Sequence, residues 1–216
     1  MITTLLFDLD GTLVDSYGPI TASLNAARAA FGLPPKTEKA VRREVGRGLE
    51  VLIEENLGAG RVEDGVAVFR QTYRTVFREG TRLLPGVAPT LAELARRAYR
   101  MAVTSNKPAY FTREIVAGCG LGSLFRAVYG PEMVTHPKPD PEMLHRAIED
   151  LGSRREESAY VGDMVLDIES AHRAGLPVFL VASGGSTVEE LQRAGADRIF
   201  HRFEDLLEAL PPLEQP

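Results

Sequence analysis

Between residue 16 and about residue 82, apolar residues recur at every third or fourth position and no stretch reads as a strand. Ile20, Leu24, Ala27 and Phe31 form the first stripe, and Gly32 with Pro34 and Pro35 stops it. Thr37 is placed to cap a second helix carrying Val41 and Val45. Leu49, Leu52, Ile53 and Leu57 make a third stripe. Val62, Val66, Phe69, Tyr73 and Phe77 make a fourth. The expectation here is a bundle of about four helices. Outside this region, short apolar runs alternate with helical stripes. The runs fall at 5–7, 101–104, 127–129, 159–161, 178–181 and 199–200, and apolar runs of this length bounded by turn residues read as buried strands. Helical stripes lie over 87–98, 108–118, 143–151, 168–174, 188–194 and 203–210. Such alternation implies a parallel sheet with helices on both faces. The predicted fold class is α/β: a Rossmann-like parallel-sheet core from residues 1–15 and 83–216, with a small all-helical cap inserted over 16–82. The tail, 211–216, is expected to fray.

The chemistry sits at the ends of these strands. The first runs into Asp8-Leu9-Asp10-Gly11-Thr12. Side chains alternate along a strand, so Asp8 and Asp10 project to one side. Two carboxylates that close repel each other unless a cation or a proton lies between them. Gly11 permits a sharp exit of the chain. Alone, this would be a turn with two solvated aspartates, but three further segments add to it. Thr104-Ser105-Asn106 offers a hydroxyl, an amide and main-chain N–H groups where a helix begins, which suits an anion. Lys138 lies between Pro137 and Pro139, which stiffen its loop. Gly162-Asp163 ends another strand, with Asp167 four residues on. Asp8, Ser105 and Asp163 thus share the carboxyl ends of the expected strands, where open α/β sheets bind ligands. Carboxylates gathered at such an edge suit a hard cation, Mg²⁺ above all. Cys119 is the single cysteine and His136, His145, His172 and His201 show no paired spacing, so zinc is not expected. In the helical region Gly46 and Gly48 flank Arg47. The glycines would let the backbone approach a ligand, and the arginine fork could grip a carboxylate. A helix-breaking turn with a solvated arginine is the alternative.

Composition narrows the partners. The 216 residues are 44% hydrophobic and 25% charged, enough to bury a sizeable core, and the net charge is −5. That balance leaves no electrostatic footprint for nucleic acid or an anionic membrane. No run of 18 apolar residues is present. The chain enters its first strand at once, leaving no room for a signal peptide, so a cytoplasmic setting is expected.

The motif LLFDLDGTL, with VTSNKP, HPKPDPEML and VGDMVLD in that order, resembles the haloacid dehalogenase superfamily of hydrolases, and most closely its phosphoglycolate phosphatase subfamily. The resemblance covers nearly the whole chain. It implies that Asp8 is a nucleophile forming an aspartyl-phosphate, with Asp10 as general acid and then base. It implies that Ser105, Asn106 and Thr12 bind substrate, and that Lys138 bridges the phosphoryl group and Asp8. Asp8, Asp163 and the main-chain carbonyl of Asp10 would hold Mg²⁺, with Asp167 as ligand or close partner. The loop with Arg47 and Gly48 looks like the cap loop that reaches the site in that subfamily. The expected activity is Mg²⁺-dependent hydrolysis of a small phosphorylated metabolite, first of all 2-phosphoglycolate, by a monomer or homodimer. A phosphohexose mutase or a pyrophosphatase of the same superfamily is the alternative among enzymes. A non-catalytic phosphoaspartate switch is the alternative of another class.

Overall fold

The structure, a computed structural model, describes residues 1–213; the last three positions of the tail expected to fray lie outside the described residues. Six parallel strands form one sheet. They are β1 (Thr4–Phe7), β4 (Arg100–Thr104), β5 (Ala127–Tyr129), β6 (Ser158–Gly162), β7 (Val178–Val181) and β8 (Arg198–Phe200), in the order β5-β4-β1-β6-β7-β8. Phe7 lies opposite Val103 on one side and Val161 on the other. The chain builds outward from β1 through β4 to β5, then crosses over to β6, β7 and β8. The strand order reverses beside β1, and the crevice there is where such a sheet binds ligands.

The alternation along β1 sorts the two faces. Leu5 and Phe7 enter the core formed with α5 (Val87–Arg96), α6 (Ala109–Gly118) and α10 (Leu206–Ala209). Leu6 enters the opposite core, under α7 (Glu142–Asp150), α8 (Val165–Ala174) and α9 (Val188–Arg193). A strand buried on both sides reads as a continuous apolar run.

Between β1 and β4 the chain makes four helices: α1 (Tyr17–Ala30), α2 (Glu38–Arg42), α3 (Leu49–Leu57) and α4 (Val62–Gly80). Thr37 caps α2, its hydroxyl accepting from Ala40 N. Leu24, Ile53, Phe69, Tyr73 and Phe77 of this layer are buried and continuous with the first core. A two-residue ribbon joins the ends of the excursion: β2 (Val14–Asp15) runs antiparallel to β3 (Arg82–Leu83), Val14 facing Leu83. Elements this short carry no periodicity, so the hydrophobic pattern does not reveal them. Two other details differ from the pattern. The stripe ending at Ala98 stops as helix at Arg96; Ala98 takes φ 68° while Tyr99 N donates to Leu94 O at 3.1 Å. The stripe over 203–210 divides into a 3₁₀ turn, Phe203–Asp205, followed by α10. Among the described residues no helix is long and apolar enough to cross a membrane.

Candidate active site

β1 delivers Asp8. Its main-chain N–H continues the ladder to Val161 O at 2.9 Å, so the side chain emerges at the strand's carboxyl end, buried. Gly11 then turns at φ +88°. A Cβ at that position would come within 2.5 Å of both Asp163 Oδ2 and the Tyr17 hydroxyl, so only glycine lets the loop lie this close. Asp10 projects beside Asp8 but makes different contacts. Ser16 Oγ donates to its Oδ1, and Lys107 Nζ lies 2.9 Å from its Oδ2. Burial works against the charge on Lys107, yet Asp10 and Tyr73 outweigh it and hold the ammonium above the usual lysine range. Lys107 Nζ also stands 4.8 Å from the centre of the Tyr73 ring on α4, a cation–π contact that ties the helical layer to the sheet.

The end of β4 supplies Ser105, whose Oγ accepts from Lys107 N at 3.3 Å. The helix that follows starts four residues on, at Ala109, and Glu132 Oε1 accepts its first N–H at 2.7 Å. The anion-binding features of this segment therefore lie in the turn rather than on the helix terminus. Asn106 is engaged as a strut. Its Nδ2 donates to Lys138 O at 2.8 Å and to Gly46 O at 3.0 Å, and its Oδ1 accepts from Lys138 N at 3.0 Å. It fixes the Lys138 loop and joins it to the Gly46 turn.

Lys138 Nζ is buried among Tyr160 OH at 2.7 Å, Asp167 Oδ1 at 3.0 Å and Asp8 Oδ1 at 3.1 Å. Burial would lower its pKa, but Asp167 and Asp8 hold it well above the ordinary lysine value. β6 places Asp163 after Gly162. Asp163 Oδ1 accepts from Thr12 Oγ1 at 2.6 Å, and Oδ2 accepts from Gly185 N at 3.3 Å. Thr12 thus holds a carboxylate rather than facing open space. Asp167 accepts the main-chain N–H groups of Asp163 and Met164 on Oδ2, both at 3.0 Å. With Lys138 and Tyr160 on Oδ1, both of its oxygens are occupied.

Asp8, Asp163 and Asp167 each offer an oxygen within 4.8 Å of the others, all buried. Lys138 is the one cation in contact with them among the described residues. Burial, Asp167 and Asp10 push the Asp8 carboxyl up to about 6 against the pull of Lys138. Burial first, then Asp167 and Asp8, drive Asp163 well above the carboxylate range. Among the described residues Asp8 Oδ1 meets Lys138 as an ion pair at 3.1 Å but accepts no directed hydrogen bond. Excess negative charge, a buried oxygen that accepts no directed hydrogen bond and an all-oxygen donor set are what a hard divalent cation requires. Each oxygen of Asp163 accepts one hydrogen bond whereas each oxygen of Asp167 accepts two, so Asp163, with Asp8, keeps lone pairs to give it. Asp167 serves as the partner that orients Lys138 and the turn at Asp163.

Above these residues opens a cleft of about 670 Å³, part of it continuous with solvent. Its floor holds Asp8, Asp10 and Ser105, and α1, α3 and α4 form its apolar wall through Ile20, Leu52 and Phe69. Gly46 and Gly48 border it, both at positive φ. The Arg47 side chain lies outward, 65% exposed and paired with Glu55 at 3.1 Å. Lys107 and Arg70 are the cationic residues that line the cleft. Neither stands out in the sequence. A lysine two residues after the serine of an anion-binding turn is the available signal for Lys107; Arg70 carries none.

A family model for haloacid dehalogenase-like hydrolases matches residues 5–181, a span containing Asp8, Asp10, Ser105, Lys107, Lys138, Asp163 and Asp167. The chain belongs to that family. It is 33% identical to the phosphoglycolate phosphatase of Photorhabdus laumondii over 97% of this chain and 92% of that protein. It is 34% identical to that of Pectobacterium atrosepticum over 95% and 91%. A haloacid dehalogenase-like hydrolase from Bacteroides fragilis superposes with TM-score 0.91 at 30% identity, covering 96% of this chain and all of that one. The protein is thus an enzyme of the haloacid dehalogenase-like family, similar along nearly its whole length to phosphatases.

Proposed function

We propose that this haloacid dehalogenase-like protein is a Mg²⁺-dependent phosphomonoesterase for small phosphorylated metabolites whose leaving group is anionic, with 2-phosphoglycolate as the first candidate. The observation that carries the reading is the joint placement of Asp8, Asp10, Ser105 and Lys107 around one cleft, together with relatives named phosphoglycolate phosphatase. An Asp8 oxygen attacks phosphorus and the ester P–O bond breaks. Asp10 gives its proton to the departing alkoxide. Water then attacks the aspartyl-phosphate with Asp10 taking the proton, and inorganic phosphate leaves with Asp8 restored. Splitting the displacement lowers each barrier, and a positioned acid is worth on the order of 10²–10⁴-fold. Ser105 and Lys138 hold the phosphoryl oxygens, Lys138 being already fixed by Asn106 and Asp167. Asp8, Asp163 and the Asp10 carbonyl would hold Mg²⁺, which would supply positive charge to offset the negative charge of the phosphoryl group. Lys107 and Arg70 are the groups available to a carboxylate on the leaving group.

Chelator-stripped protein assayed with and without MgCl₂ on 2-phosphoglycolate, ethyl phosphate, glucose 1-phosphate and pyrophosphate tests this. Phosphate release is expected to need Mg²⁺ and to be fastest from 2-phosphoglycolate. Full activity without metal, preference for pyrophosphate, or isomerisation of the sugar phosphate would overturn it.

A further inference from the structure

The Tyr17 side chain is completely buried, yet its hydroxyl has no hydrogen-bond partner. A buried polar group left unpaired is destabilising, and native proteins keep few of them. Its surroundings make this one unusual. A Cβ on Gly11 would come within 2.5 Å of the Tyr17 hydroxyl and also of Asp163 Oδ2, so both oxygens pack against the same side of Gly11. A tyrosine hydroxyl is neutral near pH 7, with both a proton to donate and lone pairs to accept.

The ring is held in this position from its other side. The Arg42 guanidinium stacks on it, Cζ lying 4.1 Å from the ring centre. Arg42 is fixed by Asp15 at 3.2 Å and Glu38 at 3.5 Å. The Tyr17 main-chain N–H donates to Asp15 Oδ1 at 3.2 Å. The hydroxyl is thus a fixed feature of the acidic edge, carried on the first helix of the inserted layer, and nothing among the described residues satisfies it.

We propose that Tyr17 is the outer partner of a hydrated divalent cation held by Asp8 and Asp163. Its oxygen would accept a hydrogen bond from water that the cation carries. This rests on the metal dependence proposed above and adds a positioning residue to it. Groups that orient ligands and water around a metal typically change its affinity about 10–100-fold when removed.

Tyr17→Phe keeps the ring and the Arg42 stack and deletes only the hydroxyl. Two opposite effects are expected. The metal-free variant should melt about 2–6 °C above the metal-free parent, because a buried unpaired oxygen is gone. Its Kd for Mg²⁺, measured by titration calorimetry, should rise about 10–100-fold. An unchanged Mg²⁺ affinity overturns the proposal whatever the melting temperature does. A lower melting temperature for the metal-free variant also overturns it, by showing that the hydroxyl already has a partner in the protein. A parent protein that binds no Mg²⁺ would instead sink the metal dependence itself, and this inference with it.

Discussion

Lys107 stands where two requirements meet. Its ammonium neutralises Asp10 at 2.9 Å, and it lines the cleft that must admit a substrate. An anionic leaving group departing near Asp10 would compete with that carboxylate for the same ammonium. Lys107→Met should therefore reduce kcat/KM for 2-phosphoglycolate about ten- to a hundredfold more than for ethyl phosphate, the scale of a hydrogen bond to a charged group. Any disturbance of Asp10 itself falls on both substrates and cancels in the ratio. Steady-state kinetics on the two esters checks this, and an equal loss on both would remove Lys107 from substrate recognition. Much at this scale is readable from residue type alone. Asp8, Asp10, Ser105 and Asp163 announce themselves because each lies where a strand gives way to a turn, and Lys138 because two prolines flank it. Lys107 does not, because its meaning depends on Asp10 and Tyr73, which are remote in the chain. Arg47 illustrates the converse. Its flanking glycines suggest a hand reaching inward, but a local carboxylate, Glu55, satisfies it outside the cleft.

At the scale of elements, the six sheet strands and the long helices follow from hydrophobic period, since each has enough residues to display one. The ribbon of β2 and β3 has two residues a strand and displays none. What period cannot supply is how the helical layer is fastened to the sheet. Aromatic contacts provide part of that. Phe111 on α6 meets Tyr73 edge-on at 5.0 Å and Phe77 at 5.2 Å, both from α4. Phe111 is buried and also borders the cleft. Phe111→Ala should cost about 3–5 kcal/mol, lowering Tm by roughly 6–15 °C for a chain of this size. Hydrogen exchange should rise most in α4, which loses its partner across the interface, and less in β1. Uniform loss of protection throughout the chain would show instead that the two layers open as one unit.

For the whole molecule, the surface and the site respond to pH in opposite senses. Half-buried acids at the surface such as Glu142, Glu157 and Glu190 have lowered pKa values, from main-chain N–H groups or from arginine partners. Surface pairs of this kind contribute little to stability. The buried site is different, because there burial and mutual repulsion raise the carboxyls. Asp8 moves from 3.8 to about 6, and Asp163 moves in the same direction. A raised carboxyl means that the native state binds more protons than the unfolded chain in that interval. The stabilisation it gives is complete below about pH 4 and is lost as pH rises through about 6. The metal-free protein should therefore lose several degrees of Tm between pH 5 and pH 7.5, with Asp8→Asn flattening the fall. Mg²⁺ should act in the reverse direction. Its carboxylate ligands must be deprotonated, so added metal competes with protons for Asp8 and Asp163. A fixed concentration of MgCl₂ should raise Tm more at pH 7.5 than at pH 5, restoring what ionisation took away. Thermal melts over that range, with and without metal, measure both slopes. A metal-induced rise that is larger at pH 5 would mean that the cation binds somewhere other than this buried acidic edge.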